Sequence, residues 1–447
     1  MKRHAWVLGM ALALGCGKDN PGNPDAGTKP PPNDPNANSR FTRLVVDSEP
    51  SEFHQISSIA MAVGPQDRVG MAYFVKLRTQ TDNSNDFELR YREFKAGTLG
   101  LAEVVAKVQR VYGVSVAFAP NGQPAVTYLG GGSDDSTFWL QSDLAVAYRD
   151  TNGTWLERIA VTRSNQAATG NPVSDAGFLV GLNPSIVFSG NQALVAYRDG
   201  HNGNFGRQDW ESSDVELAVG GPTAWQYRMV ASSGDSKLGY GGHISMLMAG
   251  TQPALAYDKA PESALASGTD VIFQRRNADS VTWSTPVRVQ AVSNTQLGPS
   301  VAYDARAGFG IATVDKIGDK LTYIDCDEST ATKCTAASDW SSPDPVYNVG
   351  TGGWYPSLAF DPVTHEPSIA FYVCALESGR NDTSCNPGDD ELVVATRISG
   401  IWREALVDAG GGWSPKLAYL SNGKRVILYR APVVAPDNGT LKLAVEQ

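Results

Sequence analysis

The chain has 447 residues, with 37 Lys and Arg against 47 Asp and Glu, which gives a net charge of −10. Nucleic acids and anionic membrane surfaces bind proteins through clustered Lys and Arg, and the sequence has no such cluster. Hydrophobic residues make up 42% of the chain, enough for a large packed core, while 45 Gly and 26 Pro exclude a coiled coil. The composition therefore predicts a folded, turn-rich body that does not bind nucleic acid.

The first fifteen residues have the pattern of a secretory signal peptide. A positively charged start, Lys2 to His4, precedes an apolar stretch, Ala5–Leu14, that is too short to span a bilayer as a helix. The segment LALGC (12–16) resembles the lipobox of bacterial lipoproteins, in which the cysteine is acylated and becomes the first residue. The resemblance implies palmitate and other acyl chains at Cys16 and a lipoprotein of the outer membrane. An ordinary cleaved signal with an incidental Cys16 is the alternative.

The segment after the signal is predicted to be a tether. Residues 16–39 are nearly free of apolar side chains beyond Cys16 and are rich in Pro, Asn and Gly. Such a segment buries too little surface to order itself, so we expect a disordered spacer between a membrane anchor and a folded domain at 40–447.

Residues 40–447 contain seven copies of one sequence motif. Each copy has an apolar strand with a Ser, a Gly or Pro turn, and a second strand that ends in Ala-Tyr or its equivalent. The copies are residues 57–73, 114–128, 184–197, 244–257, 299–314, 356–371 and 415–429. Six align on Ser58, Ser115, Ser185, Ser245, Ser300 and Ser357, with Lys416 in the seventh. Repeats of this length that open with a hairpin are typical of propeller blades.

Each hairpin is followed by a third strand with alternating apolar and polar residues. A fourth strand follows in the first six repeats, and a Trp often opens it: Trp155, Trp225, Trp283, Trp340 and Trp402. The seventh repeat ends at Gln447 without a fourth strand, whereas RFTRLVVD (40–47) is strand-like and has no place in the first repeat. We therefore predict an all-β, seven-bladed propeller of four-stranded blades, closed by pairing of the N-terminal strand with the last blade. Six blades and an unrelated segment are the alternative.

Three turns before fourth strands resemble the Asp-box of sialidase-type propellers. They are YRDTNGTW (148–155), NADSVTW (277–283) and ISGIW (398–402); the leading Ser of the motif is absent, and Asp150 stands one residue too far from Gly153. The resemblance implies a sialidase-like glycoside hydrolase or lyase as one alternative, and the other is a turn with a buried Trp. The architecture is also similar to seven-bladed bacterial lectins. The chain has no GxSxG, HExxH or phosphate-loop motif, so no catalytic residue, metal or cofactor is assigned.

The remaining cysteines form two local pairs, Cys326 with Cys334 and Cys374 with Cys385. An even number of cysteines at short spacing in an exported chain predicts two loop-closing disulfides, although other pairings stay open. Zinc is the competing interpretation, but the spacing does not match CxxC ligands and no His lies nearby in the sequence.

A ligand is expected at the face of the propeller that carries the long loops, 74–86, 129–143, 198–214, 258–270 and 372–391. Candidate ligand-binding residues there are Trp354, Trp413 and Tyr240, which precede inner strands, and Arg198, Asp199 and Asp258, which follow second strands. Aromatic faces with polar neighbours suit sugar rings. The alternative is that these aromatic side chains fill gaps between blades.

The sequence thus favours a lipid-anchored binding protein of the cell envelope over an enzyme. Its expected partner is a glycan or another envelope or surface protein. A sialidase-like hydrolase or lyase and a structural subunit of an envelope complex are the two alternatives.

Overall fold

The computed structural model describes residues 40–48, 59–76, 87–108, 111–130, 142–161, 180–200, 213–232, 238–261, 269–277, 282–293, 298–315, 320–327, 333–348, 351–375, 391–409, 411–431 and 440–447. These residues form antiparallel strands and two short 3-10 segments, Pro65–Asp67 and Ala337–Asp339. The signal peptide, the tether, Cys16 and Cys385 lie outside the described residues, so what the sequence predicts for them stays a prediction.

The strands are grouped in seven blades. Blade 1 contains β2 (Ile59–Gly64), β3 (Arg68–Lys76), β4 (Phe87–Lys95), β5 (Thr98–Leu99) and β6 (Glu103–Val108). Blade 2 contains β7 (Val114–Phe118), β8 (Pro124–Gly130), β9 (Asp143–Arg149) and β10 (Trp155–Val161). Blade 3 contains β11 (Val180–Ser189), β12 (Gln192–Asp199), β13 (Asp214–Gly220) and β14 (Trp225–Ala231). Blade 4 contains β15 (Leu238–Ala249), β16 (Gln252–Pro261), β17 (Thr269–Arg275) and β18 (Val287–Ser293).

The remaining three blades follow the same order. Blade 5 contains β19 (Ser300–Asp304), β20 (Gly308–Asp315), β21 (Lys320–Cys326) and β22 (Asp344–Tyr347). Blade 6 contains β23 (Thr351–Phe360), β24 (Pro367–Ala375), β25 (Glu391–Ile398) and β26 (Ile401–Asp408). Blade 7 contains β27 (Trp413–Tyr419), β28 (Arg425–Ala431), β29 (Thr440–Glu446) and the N-terminal strand β1 (Phe41–Asp47). The inner strand of each blade contacts that of the next, and β27 contacts β2, so the ring is closed.

The N-terminal strand closes the ring as the sequence predicts. Strand β1 runs antiparallel to β29, from Phe41 opposite Glu446 to Asp47 opposite Leu441. Phe41 is 3% exposed and packs in the core shared with blade 6. Arg425 of blade 7 donates to both carboxylate oxygens of Glu446, at 2.8 and 2.5 Å, and to Thr396 Oγ1 of blade 6 at 2.9 Å. The last blade is therefore fixed both to the first strand and to its neighbour.

The repeated Ala-Tyr places a tyrosine in the core of most blades. Tyr73, Tyr128, Tyr197, Tyr257 and Tyr429 are fully buried. Burial raises the pKa of four of these hydroxyls, so those tyrosines stay protonated and act as hydrogen-bond donors: Tyr73, Tyr128, Tyr257 and Tyr429. Tyr429 donates to Asp408 at 2.5 Å and Tyr257 to Gln274 at 2.7 Å. The polar end of each ring is thus satisfied inside an apolar core.

Serines of the inner strands join neighbouring blades. Ser115, Ser185, Ser245, Ser300 and Ser357 each accept a hydrogen bond at their Oγ from a backbone N–H of the next blade, with distances of 2.8–3.2 Å. Each serine pairs in register with the residue that precedes the buried second-strand tyrosine or its equivalent, as Ser185 pairs with Ala196. We call this inner-strand place the ring position. The repeated serine is therefore a contact between blades.

Two blades have no serine at the ring position. In blade 1 the pairing of Ala60 with Ala72, next to Tyr73, puts Ala60 there, so the sequence alignment on Ser58 is wrong by two residues. In blade 7 the position is held by Lys416, opposite Leu428. Burial lowers the pKa of Lys416 to about 8, and no described residue forms an ion pair or hydrogen bond with its amine. The run of serine contacts is thus interrupted where the ring closes.

Replacing Lys416 tests this description of the ring. Because the folded state binds the amine proton more weakly than the unfolded chain does, Lys416→Met should raise the free energy of unfolding at pH 7 by about 1–3 kcal/mol. The gain should be full below about pH 8 and should shrink towards about pH 10.4, where the unfolded lysine loses its proton. Denaturant unfolding at several pH values measures the gain. Lys424→Met, at an exposed lysine of the same hairpin, is the control, and an equal response of both variants would contradict the description.

Candidate functional site at the channel mouth

The inner strands are irregular where they begin, at the face where the second strands end; the long loops predicted for this face lie mostly outside the described residues. Register shifts occur just before the ring position in blades 3, 4, 6 and 7. The residue two places before it has a left-handed backbone in five blades: Gly113, Asn183, Gly298, Tyr355 and Ser414. Bulges bend a strand and redirect its side chains. In these blades, the first residues of the inner strand therefore depart from the regular hairpin pairing, and they lie at the mouth of the channel.

Asn183 connects three of these irregular segments. Its backbone N–H donates to the carbonyl oxygen of Tyr112 in blade 2 at 2.8 Å, and its side-chain amide donates to the carbonyl oxygen of Gly242 in blade 4 at 2.7 Å. Asn tolerates the left-handed conformation, with φ of 47° here, better than most residues do. Hydrogen bonds of Asn183 therefore link blades 2, 3 and 4 at the mouth.

Four aromatic rings meet at the mouth on blades 6 and 7, and we call them the aromatic cluster: Trp354, Tyr355, Tyr372 and Trp413. Tyr372 is fully buried in the middle, and its ring centroid lies 6.0 Å from Trp354, 6.2 Å from Tyr355 and 5.0 Å from Trp413. The other three rings are partly exposed. The structure thus brings together two predicted site residues, Trp354 and Trp413, around a tyrosine that the sequence did not identify.

The backbone of Tyr355 is strained. Its φ of 55° lies in the left-handed region, where a bulky residue is a rare outlier that costs about 1–3 kcal/mol. The conformation places the Tyr355 ring 5.9 Å from that of Trp413, at an interplanar angle of 31°. Such strain is kept where the surroundings require it, and functional sites are enriched in it.

Arg430 lies beside the aromatic cluster. It pairs with Trp413 in the register of β27 and β28, and its charge interacts with Tyr355. Burial lowers the pKa of Arg430 to about 9, so the guanidinium is still charged at neutral pH but is poorly solvated. Burial raises the pKa of Tyr355 to about 12, against the opposing effect of Arg430, so its hydroxyl is neutral. The cluster therefore combines apolar ring faces with a hydroxyl and a cation.

A disulfide lies next to the aromatic cluster. Cys374 is disulfide-bonded and 1% exposed, and it packs with Tyr372. Its predicted partner Cys385 lies outside the described residues. The other predicted pair is confirmed: Cys326 and Cys334 are bonded, with Cα atoms 5.8 Å apart. Since Cys326 ends the third strand of blade 5, that bond fixes a connection on the opposite face of the propeller.

The remaining predicted residues lie on blades 3 and 4. Arg198 Nε donates to Ser213 Oγ at 2.8 Å, and Ser213 Oγ donates to the carbonyl oxygen of Tyr240 at 2.9 Å. Burial lowers the pKa of Arg198, and the charges of Asp258 and Asp199 partly offset this. The charges of three predicted residues therefore interact: Arg198, Asp199 and Asp258. Ser213 connects Arg198 to the backbone of Tyr240 through hydrogen bonds.

Asp258 also holds a histidine that the sequence did not single out as a site residue. Its Oδ1 accepts the backbone N–H of His243 at 2.6 Å, and its Oδ2 lies 2.9 Å from His243 Nδ1. Gly298 packs against this imidazole, because a Cβ added there would meet His243 Cβ at 2.6 Å. The place of His243, two residues before the ring serine Ser245, is the sequence signal that could have identified it.

The Tyr240 side chain has different neighbours. Lys259 Nζ lies 5.5 Å from its ring centroid, and the Tyr257 ring lies 6.2 Å away. Tyr240 also lines a cleft of about 630 Å³ between blades 3 and 4, together with Trp283 and Ile272. The six predicted residues are therefore divided between blades 3–4 and blades 6–7 of the same face.

Within the described part of the chain, His, Cys, Asp and Glu side chains form no group of three that could hold a metal ion. The same part of the chain includes no helix with the length and apolar character needed to cross a membrane.

Comparisons with known proteins return only distant structural likenesses. No family model and no curated protein matches the sequence. A GH93 α-L-arabinofuranosidase of Fusarium graminearum is 10% identical with a TM-score of 0.48, over 91% of this chain and 98% of its own. A Dyadobacter fermentans protein of unknown function is 11% identical with a TM-score of 0.47, over 91% and 99%. The intramolecular trans-sialidase of Ruminococcus gnavus is 12% identical with a TM-score of 0.44, over 90% and 96%. At this similarity, none of these proteins assigns an activity to the chain.

Proposed function

We propose that this protein binds a glycan at the channel mouth through the aromatic cluster. The observation that carries the proposal is the arrangement of three partly exposed rings, Trp354, Tyr355 and Trp413, around the buried ring of Tyr372. Sugar rings stack their C–H faces on aromatic rings, and their hydroxyls need fixed polar partners. Arg430 and the Tyr355 hydroxyl are such partners at this cluster.

Three properties of the cluster support recognition rather than packing alone. The rings lie near the start of the inner strands of a rigid ring of blades. The strained backbone of Tyr355 holds its ring near Trp413. The indole Nε1 of Trp354 is buried without a hydrogen-bond partner among the described residues. A ligand with apolar faces would stack on the rings in this position, and its hydrogen-bond acceptors would pair with the Trp354 indole.

We further propose that the propeller is held at the outer membrane through lipid on Cys16 and the tether at 16–39. The support is the signal-like start and the lipobox-like LALGC (12–16). Several acyl chains at about 0.8 kcal/mol per buried CH₂ would make the attachment lasting. A propeller on a tether of this kind would present its mouth to glycans or to proteins of the envelope.

Truncation of the tryptophans tests the glycan site. Trp354→Ala and Trp413→Ala should each weaken glycan binding at least tenfold, about 1.4 kcal/mol, because each removes a stacking surface. Tyr227→Ala removes an aromatic ring that is 40% exposed on an outer strand and should leave affinity unchanged. Isothermal titration with a glycan that binds the wild type measures the effect, and near-ultraviolet circular dichroism checks the fold. Unchanged affinity in folded Trp variants would disprove the site.

Metabolic labelling tests the anchor. In a bacterial host, the full-length chain should incorporate labelled palmitate and fractionate with membranes, and Cys16→Ser should lose both properties because the lipid is attached at this cysteine. Cys374→Ser removes a different cysteine and should keep the label. Labelling that persists in Cys16→Ser would refute lipid attachment at this position.

A sialidase-like hydrolase is the second candidate function, and the observation that favours it is the group around Asp258. A carboxylate beside an imidazole and a guanidinium can support acid–base chemistry at a sugar. A panel of fluorogenic glycosides at several pH values separates the two functions. A binding protein should release no fluorophore, whereas release that Asp258→Asn abolishes would establish hydrolysis.

A further inference from the structure

The face opposite the mouth carries a contact that recurs between blades. In blade 1, Glu103 accepts hydrogen bonds from Arg149 of blade 2, with Nε to Oε2 and Nη2 to Oε1 both at 2.8 Å. Trp155 Nε1 of blade 2 donates to the same carboxylate at 2.9 Å. We call this set of a carboxylate, an arginine and a tryptophan the interblade triad.

Blades 5 and 6 repeat the triad. Asp344 of blade 5 accepts from Trp402 Nε1 of blade 6 at 3.0 Å, and Arg397 Nη2 lies 3.5 Å from the same carboxylate oxygen. In both cases the arginine and the tryptophan face each other across the third and fourth strands, Arg149 opposite Trp155 and Arg397 opposite Trp402. The carboxylate of the preceding blade pairs with an aromatic residue of its own third strand, Tyr91 or Tyr323.

Between blades 3 and 4 the same places hold a different set of residues. Arg276 faces Trp283 across the third and fourth strands, as in the other two pairs. The register of blade 3, in which Leu217 pairs with Arg228 and Ala196 with Leu217, puts Arg228 at the place of Glu103 and Asp344. An arginine, Arg228, therefore stands where the other two sets have the carboxylate.

Three buried donors of this region have no hydrogen-bond partner among the described residues. Arg228 Nη1 and Trp283 Nε1 are buried, and neither has a hydrogen-bond partner among the described residues. Trp225, which is 3% exposed, likewise has no described partner for its Nε1. A buried donor without an acceptor costs about 1–3 kcal/mol, and such a group in a native protein calls for an explanation such as a bound ion.

A cavity lies beside Arg228 and Arg276. It has a volume of about 360 Å³ and is lined by Arg228, Arg276, Trp225, Gln192, Gln226 and Gln252. Among the described residues, no Asp or Glu lines it. The amides and indole can donate hydrogen bonds, and the guanidinium groups add positive charge.

We propose that this cavity, the blade 3–4 pocket, binds a small oxyanion such as a sulfate or carboxylate group. The anion takes the role that Glu103 and Asp344 have in the triads and accepts hydrogen bonds from Arg228 and from the indole of Trp225, which both line the cavity. Guanidinium groups bind planar or tetrahedral oxyanions with two parallel hydrogen bonds, which suits this chemistry. The anion is either free in solution or a substituent of a sugar, and it connects blade 3 to blade 4. This site is on the opposite face from the aromatic cluster and does not depend on it.

Titration with inorganic sulfate tests the pocket. The full-length protein in chloride buffer of constant ionic strength should bind sulfate saturably at one site. Arg228→Glu supplies the missing carboxylate from the chain, so it should weaken sulfate binding at least tenfold and raise the melting temperature measured without sulfate. Glucosamine 6-sulfate, compared with inorganic sulfate, distinguishes a sugar substituent from a free ion, and binding of either one supports the pocket.

Arg158→Glu is the matched control. Arg158 occupies the same register place in blade 2, opposite Val146, but the next blade has Gly220 opposite Trp225 where the triads have an arginine. This variant should bind sulfate within twofold of the wild type. If Arg228→Glu does not fold, Arg228→Gln should still weaken binding at least fivefold. Absence of saturable sulfate binding by the wild type, or equal binding by folded Arg228 variants, would overturn the proposal.

Discussion

Closure of the ring by the first strand is the constraint on which the rest of the structure depends. Without β1, the outer edge of β29 would present unpaired N–H and C=O groups, and Phe41 would be missing from the core next to blade 6. The buried pair of Arg425 and Glu446 secures this junction, and hydrogen bonds from Arg425 hold the pKa of Glu446 below its usual value although burial alone would raise it. Because the strand comes from the other end of the chain, the ring cannot close before most of the chain is made.

Different contacts connect the blades at the mouth, in the middle of the inner strands and at the opposite face. At the mouth, Asn183 joins three blades, and in the middle of the inner strands the ring serines connect the blades in order from blade 2 to blade 7. On the opposite face, a carboxylate, an arginine and a tryptophan connect blades 1 and 2 and blades 5 and 6. A rigid ring of this kind can hold strained residues such as Tyr355 at its mouth, because the cost is spread over many contacts between blades.

The fold was predictable because strand period and turn residues are local properties of the sequence. The hairpin motif, the alternating third strand and the tryptophan that opens the fourth strand are all visible within about 60 residues. These tryptophans contact the neighbouring blade, as Trp155 of blade 2 does with Tyr91 of blade 1, at 5.2 Å between ring centroids. The Ser58 alignment was wrong because hairpins of different length hide the register that places Ala60 at the ring position.

The site was predictable only in part. Position just before an inner strand identified Trp354 and Trp413 in the sequence, but Tyr372 is buried in a second strand and looks like a core residue in the sequence. The bulges that bring these rings together depend on left-handed residues, and a tyrosine at such a place gives no local signal. Replacement of a carboxylate by Arg228 is visible only after the register of three blades is compared, since no spacing in the sequence aligns Glu103 with Arg228.

The central claim is that the mouth binds a glycan, and the most direct measurement is a broad glycan-array screen of the full-length, oxidised protein. We expect reproducible binding to a related set of glycans that a soluble member of the set competes away. A blank array from protein that is folded by circular dichroism would contradict it, and crosslinking on intact cells would then be needed to find a protein partner.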